Sequence, residues 1–290
     1  MEVPLKTQKE TFSSLLEKAR NGELLAMVTA YDYTGASIAD EAGVDMLLVG
    51  DSLGMVILGH ENTLGVTVND MIYHSKAVVR ARKKAFVITD MPFLSYQTGW
   101  QDAMRNAGRI LAEGGADAVK LEGGRHIAKI IKKLVKNGIP VMGHLGLTPQ
   151  SSSILNSRLQ GDTAKSAWEI YQDAIALQEA GVFSVVLEKI PAELAFDISD
   201  HLEIPTIGIG SGNGCDGQVL VFHDLLGIYQ EKTFKFVKQY ANLKSLCKEA
   251  IYAYVNEVKT CAFPSKEHSW NMAADEWQNY NNIKSQEKKV

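Results

Sequence analysis

The sequence predicts an α/β protein, a (β/α)8 TIM barrel with an N-terminal helix and a polar C-terminal extension. Three observations predict it. Short apolar runs near residues 27, 48, 88, 120, 142, 186, 207 and 220 supply eight candidate strands. Helical stretches that stop at glycine alternate with them: Gly43, Gly115, Gly138 and Gly181 each precede the polar end of the next strand by six to eight residues. Five strands pass from apolar residues into one titratable group, at Asp51, Asp90, Glu122, His144 and Glu188. In a closed barrel these ends share one face, where the βα loops build a site, whereas an open sheet concentrates its ligands at one switch point.

Residues 9–20 place Phe12, Leu15, Leu16 and Ala19 at helical spacing before Asn21-Gly22, which predicts an amphipathic helix able to plug the bottom of a barrel. The first strand covers 24–30, and a helix over 36–42 follows that Gly43 can end. Later strands are continuous Val, Ile, Leu and Met rather than alternating, as parallel strands covered on both faces require. Residues 164–180 carry Ala167, Ile170, Ala174 and Leu177 on one helical stripe. Residues 235–259 keep a helical period through Phe236, Tyr240, Leu243, Leu246, Ala250, Tyr254 and Val258, an eighth barrel helix by this reading. We expect one catalytic domain over residues 1–270 and a polar tail over 271–290.

With 46% hydrophobic residues in 290, the chain can bury a sizeable core. Thirty basic against thirty-four acidic residues leave a net charge of -4 with no basic block, which argues against nucleic acid and for a small polar substrate. Three cysteines without ligand spacing indicate a reducing compartment. The N-terminus lacks an apolar signal core, and no apolar run reaches the roughly 20 residues that span a bilayer. A soluble, cytoplasmic protein is expected.

Asp51, Asp90 and Glu122 are hard oxygen donors, suited to a Mg²⁺ that keeps positions open for substrate; capping a helix or pairing with arginine is the plain alternative for each. Lys120 and Glu122, two apart on one strand, project to the same side. Lys120 can neutralise a substrate carboxylate or enolate, form a Schiff base after desolvation, or pair with Glu122. His144 can donate to a substrate oxygen or be a core histidine satisfied by backbone. Glu188 leaves an apolar run, Val185-Val186-Leu187, that should desolvate it toward general-base duty. Residues 208–217 are glycine-rich, like an anion cradle late in a barrel, although such turns also serve plain tight geometry.

Val49-Gly50-Asp51-Ser52-Leu53-Gly54-Met55, Gly59-His60 with Thr63-Leu64, Asp90-Met91-Pro92-Phe93, Lys120-Leu121-Glu122-Gly123-Gly124, Gly143-His144-Leu145-Gly146-Leu147-Thr148-Pro149-Gln150-Ser151, Ile207-Gly208-Ile209-Gly210 and Asp216-Gly217-Gln218 stand in this order along the chain. Together with Phe263-Pro264 and Glu267-His268-Ser269, they resemble the ketopantoate hydroxymethyltransferase family. The resemblance implies a (β/α)8 enzyme of pantothenate biosynthesis that transfers a one-carbon unit from 5,10-methylenetetrahydrofolate to 3-methyl-2-oxobutanoate, using Mg²⁺ and an enolate. It implies that Asp51, Asp90 and Glu122 are the metal carboxylates, that Asp51, Ser52, Asp90 and Lys120 touch the keto acid, and that Glu188 is the general base. His144 would help hold the substrate oxygens. It also implies a homo-oligomer, a decamer. Residues 154–163 lack the family's glycine-rich pattern with Tyr and Arg near a Gln-Gly pair, and Gly65 replaces a common proline.

Three other functions stay open at this point. A related metal-dependent barrel lyase or mutase acting on another 2-oxo acid would share the enolate chemistry without folate. A Schiff-base aldolase would use Lys120, and a catalytically silent barrel would serve binding or assembly.

Overall fold

A computed structural model describes residues 9–151, 158–229 and 234–287. Eight parallel strands pair in chain order and close into a barrel: Leu25–Thr29 (β1), Met46–Val49 (β2), Phe86–Asp90 (β3), Ala118–Glu122 (β4), Val141–Gly146 (β5), Ser184–Glu188 (β6), Thr206–Ile209 (β7) and Gly217–Leu220 (β8). β8 pairs with β1, Leu25 opposite Gly217 and Val28 opposite Leu220. All eight strands expected from the apolar runs are present.

Two layers of apolar side chains follow from the alternation of residues along each strand. Met27, Met46, Leu48, Phe86, Ile88, Ala118, Met142, Val186, Ile207 and Val219 form one buried cluster, the interior of the barrel. Residues of opposite parity, such as Leu47, Val87, Val119 and Leu187, join a second cluster with helix residues such as Ile110, Ile131 and Leu177. This is why the strands read as continuous apolar runs. Leu15, on the helix Phe12–Arg20, is 2% exposed and belongs to the interior cluster, so the leading helix does plug the barrel. Thr11 caps that helix, its side chain accepting from the Ser14 backbone N–H while Ser14 Oγ takes the Thr11 N–H.

Helices Tyr33–Glu41, Val68–Ala81, Trp100–Gly114, Arg125–Lys136, Ala164–Ala180 and Ala192–His201 lie between the strands. Gly115 and Gly181 cap their helices at φ +77° and +96°, the left-handed stop for which glycine is suited.

The chain divides into two compact units, the first ending at Ala241 and the second starting at Asn242. The division therefore falls before the helix Leu243–Lys259 and not near residue 270. That helix also begins later than the period over 235–259 suggests, after the Asn242 cap, and it buries no residue of its own. In the second unit the ring of Tyr254 meets Phe263 edge-on at 5.6 Å, and the expected tail is helical over Ala274–Glu287. No helix among the described residues is long and apolar enough to cross a membrane.

Candidate active site

The polar ends of β2 to β6 meet at the C-terminal mouth of the barrel. Strand parity aims most of them inward. Asp90 follows Phe86 and Ile88 on the interior face, Lys120 and Glu122 follow Ala118, His144 follows Met142, and Glu188 follows Val186. Asp51 lies one residue beyond that pattern. Gly50 holds the inward position after Leu48, and a Cβ there would come 2.8 Å from Ser52 Oγ and 3.6 Å from Asp90 Oδ2. The chain then turns, and the Asp51 N–H donates to Asp90 Oδ2 at 3.0 Å.

Lys120 Nζ pairs with Asp90 Oδ1 at 2.9 Å and stands 3.2 Å from His144 Nδ1. His144 lies between two carboxylates, Nδ1 3.4 Å from Glu122 Oε1 and Nε2 3.2 Å from Glu188 Oε2. Neither His144 Nε2 nor Asp90 Oδ1 has a partner in hydrogen-bond geometry, so these are ion-pair approaches off the bonding line. Ser52 Oγ shares a 2.8 Å hydrogen bond with the Tyr31 hydroxyl. Asp51, Asp90, Lys120, Glu122 and His144 are all buried. Glu188 sits at the rim, its side chain 15% exposed against 3% for Glu122, so the apolar run before it leaves it open to the mouth.

Burial pushes the Asp51 carboxyl well above its ordinary value, with Asp90 and Glu122 adding to the rise. Asp90 is also raised by burial, against the pull of Lys120. For Glu122 burial is outweighed by His144, which bonds to it and holds it low. Lys120 stays above its ordinary value because Asp90, Glu122 and Asp51 outweigh its burial. A lysine held protonated is no nucleophile, which counts against the Schiff-base alternative. Burial and Lys120 both oppose the charged form of His144, yet Glu122 and Glu188 push it up to about 9.

Four acidic side chains, three of them buried and Glu188 at the rim, thus face Lys120 and His144, with an oxygen of Asp90 left without a hydrogen-bond donor. Among the described residues no three Asp, Glu, His or Cys side chains converge into a ready-made cage. That donor set fits Mg²⁺, which binds through one or two carboxylates and completes its shell with substrate oxygens and water.

Two uncharged residues that sequence reasoning passed over tie this cluster together. Gln150 donates from Nε2 to Asp51 Oδ2 and from its backbone N–H to Glu122 Oε2, and Tyr96 lies 2.9 Å from both Gln150 Oε1 and the Glu122 carbonyl. Gln150 stood within a quoted motif, but nothing in its side-chain chemistry announced the role. In the glycine-rich stretch 208–217 a Cβ at Gly210 would meet Phe236, at Gly212 Ala192 and at Gly214 Phe196, so glycine serves tight packing at these positions. The stretch 154–163 lies partly outside the described residues.

A closed parallel barrel with four acidic side chains, a lysine and a histidine gathered at its C-terminal mouth defines a (β/α)8-barrel enzyme. Phosphoenolpyruvate phosphomutase from Streptomyces platensis subsp. rosaceus shares that fold, with a TM-score of 0.59 at 15% identity over 97% of this chain and 99% of that one. A profile described as ketopantoate hydroxymethyltransferase matches residues 9–266. The chain is 56% identical to 3-methyl-2-oxobutanoate hydroxymethyltransferase of Carboxydothermus hydrogenoformans, over 91% of this chain and 96% of that one. It is 54% identical to the protein of the same name in Acetivibrio thermocellus, over 93% and 95%. The chain belongs to the ketopantoate hydroxymethyltransferase family.

Proposed function

We propose that this protein transfers a hydroxymethyl group from 5,10-methylenetetrahydrofolate to C3 of 3-methyl-2-oxobutanoate, giving 2-dehydropantoate, with Mg²⁺ bound in the barrel mouth. The observation that carries the reading is the line of contacts Glu188, His144, Glu122, with the Lys120–Asp90 pair beside it. The names of its relatives support the keto acid and the group transferred.

Asp51 and Asp90, with Glu122, would hold the Mg²⁺, which when bound withdraws charge from the keto acid's oxygens and acidifies the adjacent C3–H. Glu188, at the open rim, removes that proton as general base. His144 Nε2 stands 3.2 Å behind its carboxylate. Lys120, kept cationic by Asp90, faces the negative charge that develops on the substrate oxygen, and the Ser52 hydroxyl, oriented by Tyr31, binds the keto acid. The C3–H bond is replaced by a bond to the donor's methylene carbon, both bonds from that carbon to the folate nitrogens break, water supplies the hydroxyl oxygen, and tetrahydrofolate leaves carrying the C3 proton and one proton of the water.

We place the enzyme in the cytoplasm as a homo-oligomer. The helix Leu243–Lys259 buries no residue while exposing Leu246, Ile251 and Tyr252, an apolar surface of the kind that subunit contacts cover. The deciding assay mixes 3-methyl-2-oxobutanoate and 5,10-methylenetetrahydrofolate with the protein, with and without chelator, and follows product mass. A product of unchanged mass, or full turnover without folate, sinks the proposal.

A further inference from the structure

We infer that Gln150 is the positioning residue of this site, holding the Asp51 and Glu122 carboxylates in their working orientation through its side chain and its backbone together, with Tyr96 locking the amide in the required direction. The inference rests on the reading of Asp51 and Glu122 as cation-facing carboxylates and adds how they are kept in place.

Gln150 stands on the 3-10 turn Pro149–Ser151 after β5 and is 3% exposed. Its two amide hydrogens have separate acceptors, Asp51 Oδ2 at 2.9 Å and the Met91 carbonyl at 2.9 Å. Its backbone N–H donates to Glu122 Oε2 at 3.0 Å. One residue after β5 thereby fixes groups at the ends of β2, β3 and β4. Each carboxylate has one oxygen engaged by an uncharged donor and the other left for different partners; Glu122 Oε1 is the oxygen nearest His144.

The amide has to point one way. Turned over, its oxygen would oppose the Asp51 carboxylate and the Met91 carbonyl, acceptor against acceptor, in a buried pocket. The Tyr96 hydroxyl accepts the Glu122 N–H at 3.2 Å, and its one proton is shared between the Glu122 carbonyl and Gln150 Oε1, each 2.9 Å away, while Gln97 Nε2 also donates to Gln150 Oε1 at 3.4 Å. These donors define the oxygen end of the amide and leave the nitrogen end for Asp51. A neutral donor suits the place. A cation there would cancel the charge the carboxylates offer, and a further carboxylate would drive them apart. Outer groups that orient metal-binding side chains are commonly worth 10 to 100-fold in affinity.

The test compares wild type, Gln150→Met and Tyr96→Phe by two measurements. The first is the rise of Tm with Mg²⁺ in the absence of substrate, and the second is exchange of the keto acid's C3 hydrogen with D₂O at saturating Mg²⁺ and keto acid. The expected result for Gln150→Met is a half-saturating Mg²⁺ concentration raised roughly tenfold or more, with the saturated exchange rate close to wild type. Tyr96→Phe, which takes the hydroxyl away from Gln150 Oε1 and from the Glu122 backbone together, should move in the same direction by less, and it carries the test if Gln150→Met does not fold. A Mg²⁺ response unchanged in both variants while wild type responds overturns the inference. Collapse of exchange at saturation also overturns it, by making Gln150 part of the chemistry. A wild-type Tm that ignores Mg²⁺ overturns the metal reading itself, and the inference with it.

Discussion

Glu188 Oε2 stands 3.2 Å from Nε2 of His144, across the ring from the nitrogen that approaches Glu122. The imidazole thus joins the rim carboxylate to the buried cluster, and the two glutamates occupy different environments although both end strands. Glu188 is open to the mouth, while Glu122 is enclosed and held by Gln150 and His144.

Removing only the base function of Glu188 should affect chemistry and not binding. In Glu188→Gln we expect Mg²⁺ and keto-acid affinities near wild type and exchange of the C3 hydrogen with D₂O slower by roughly 100-fold or more. Exchange needs no folate, so it reports proton removal alone. Wild-type exchange in this variant would move the base to another group, with His144 the next to examine.

The carboxylates proposed to hold Mg²⁺ should reveal themselves by charge. Activity should vanish in chelator and return with Mg²⁺. Asp90→Asn, which trades the carboxylate paired with Lys120 for an amide, should weaken both Mg²⁺ and keto-acid binding by calorimetry. An Asp90→Asn protein with undiminished Mg²⁺ affinity would locate the ion elsewhere.

Lys120 and Asp90 are both almost fully buried, so breaking their pair strands a charge. Lys120→Met should cost on the order of 3 to 5 kcal/mol in denaturant unfolding. The double variant Lys120→Met with Asp90→Asn should recover part of that, since neither charge then remains. A single variant as stable as wild type would mean that the pair is exposed to water in solution.

His144 binds its proton more firmly in the folded chain, about 9 against an ordinary 6.5. A folded value above the unfolded one gives stability that is complete below about 6.5 and is lost as pH rises through about 9. In chelator, wild type should therefore lose up to about 3 kcal/mol more than His144→Asn between about pH 6 and about pH 10. Parallel stability curves for the two proteins in urea would refute the assignment of this titration to His144.

Leu15 closes the interior of the barrel at the end opposite the site. Leu15→Ala should lower stability by about 2 to 5 kcal/mol through the cavity it leaves. Saturated C3 exchange at moderate temperature should stay unchanged. A selective loss of exchange in a fully folded variant would tie the plug to the mouth.

The strands and their inward residues were legible in the sequence because side-chain direction alternates along a strand whatever lies around it. Counting by twos from Phe86 and Ile88 reaches Asp90, from Ala118 reaches Lys120 and Glu122, and from Met142 reaches His144. The helix stops at Gly115 and Gly181 were legible for a similarly local reason, the left-handed backbone that ends a helix. Leu243 was harder to find as a helix start, since Phe236 and Tyr240 continue the apolar period before it while the Asn242 cap sets the boundary. Asp51 breaks the count, and the turn at Gly50 brings its backbone to Asp90. Gln150 and Tyr96 carry no charge and lie in loops, so their place became visible only when closure of the barrel set the ends of β2, β3, β4 and β5 side by side. Local sequence decides which way a residue points along its own strand; which strand ends meet depends on long-range pairing and register, and that was decided by the tertiary structure alone.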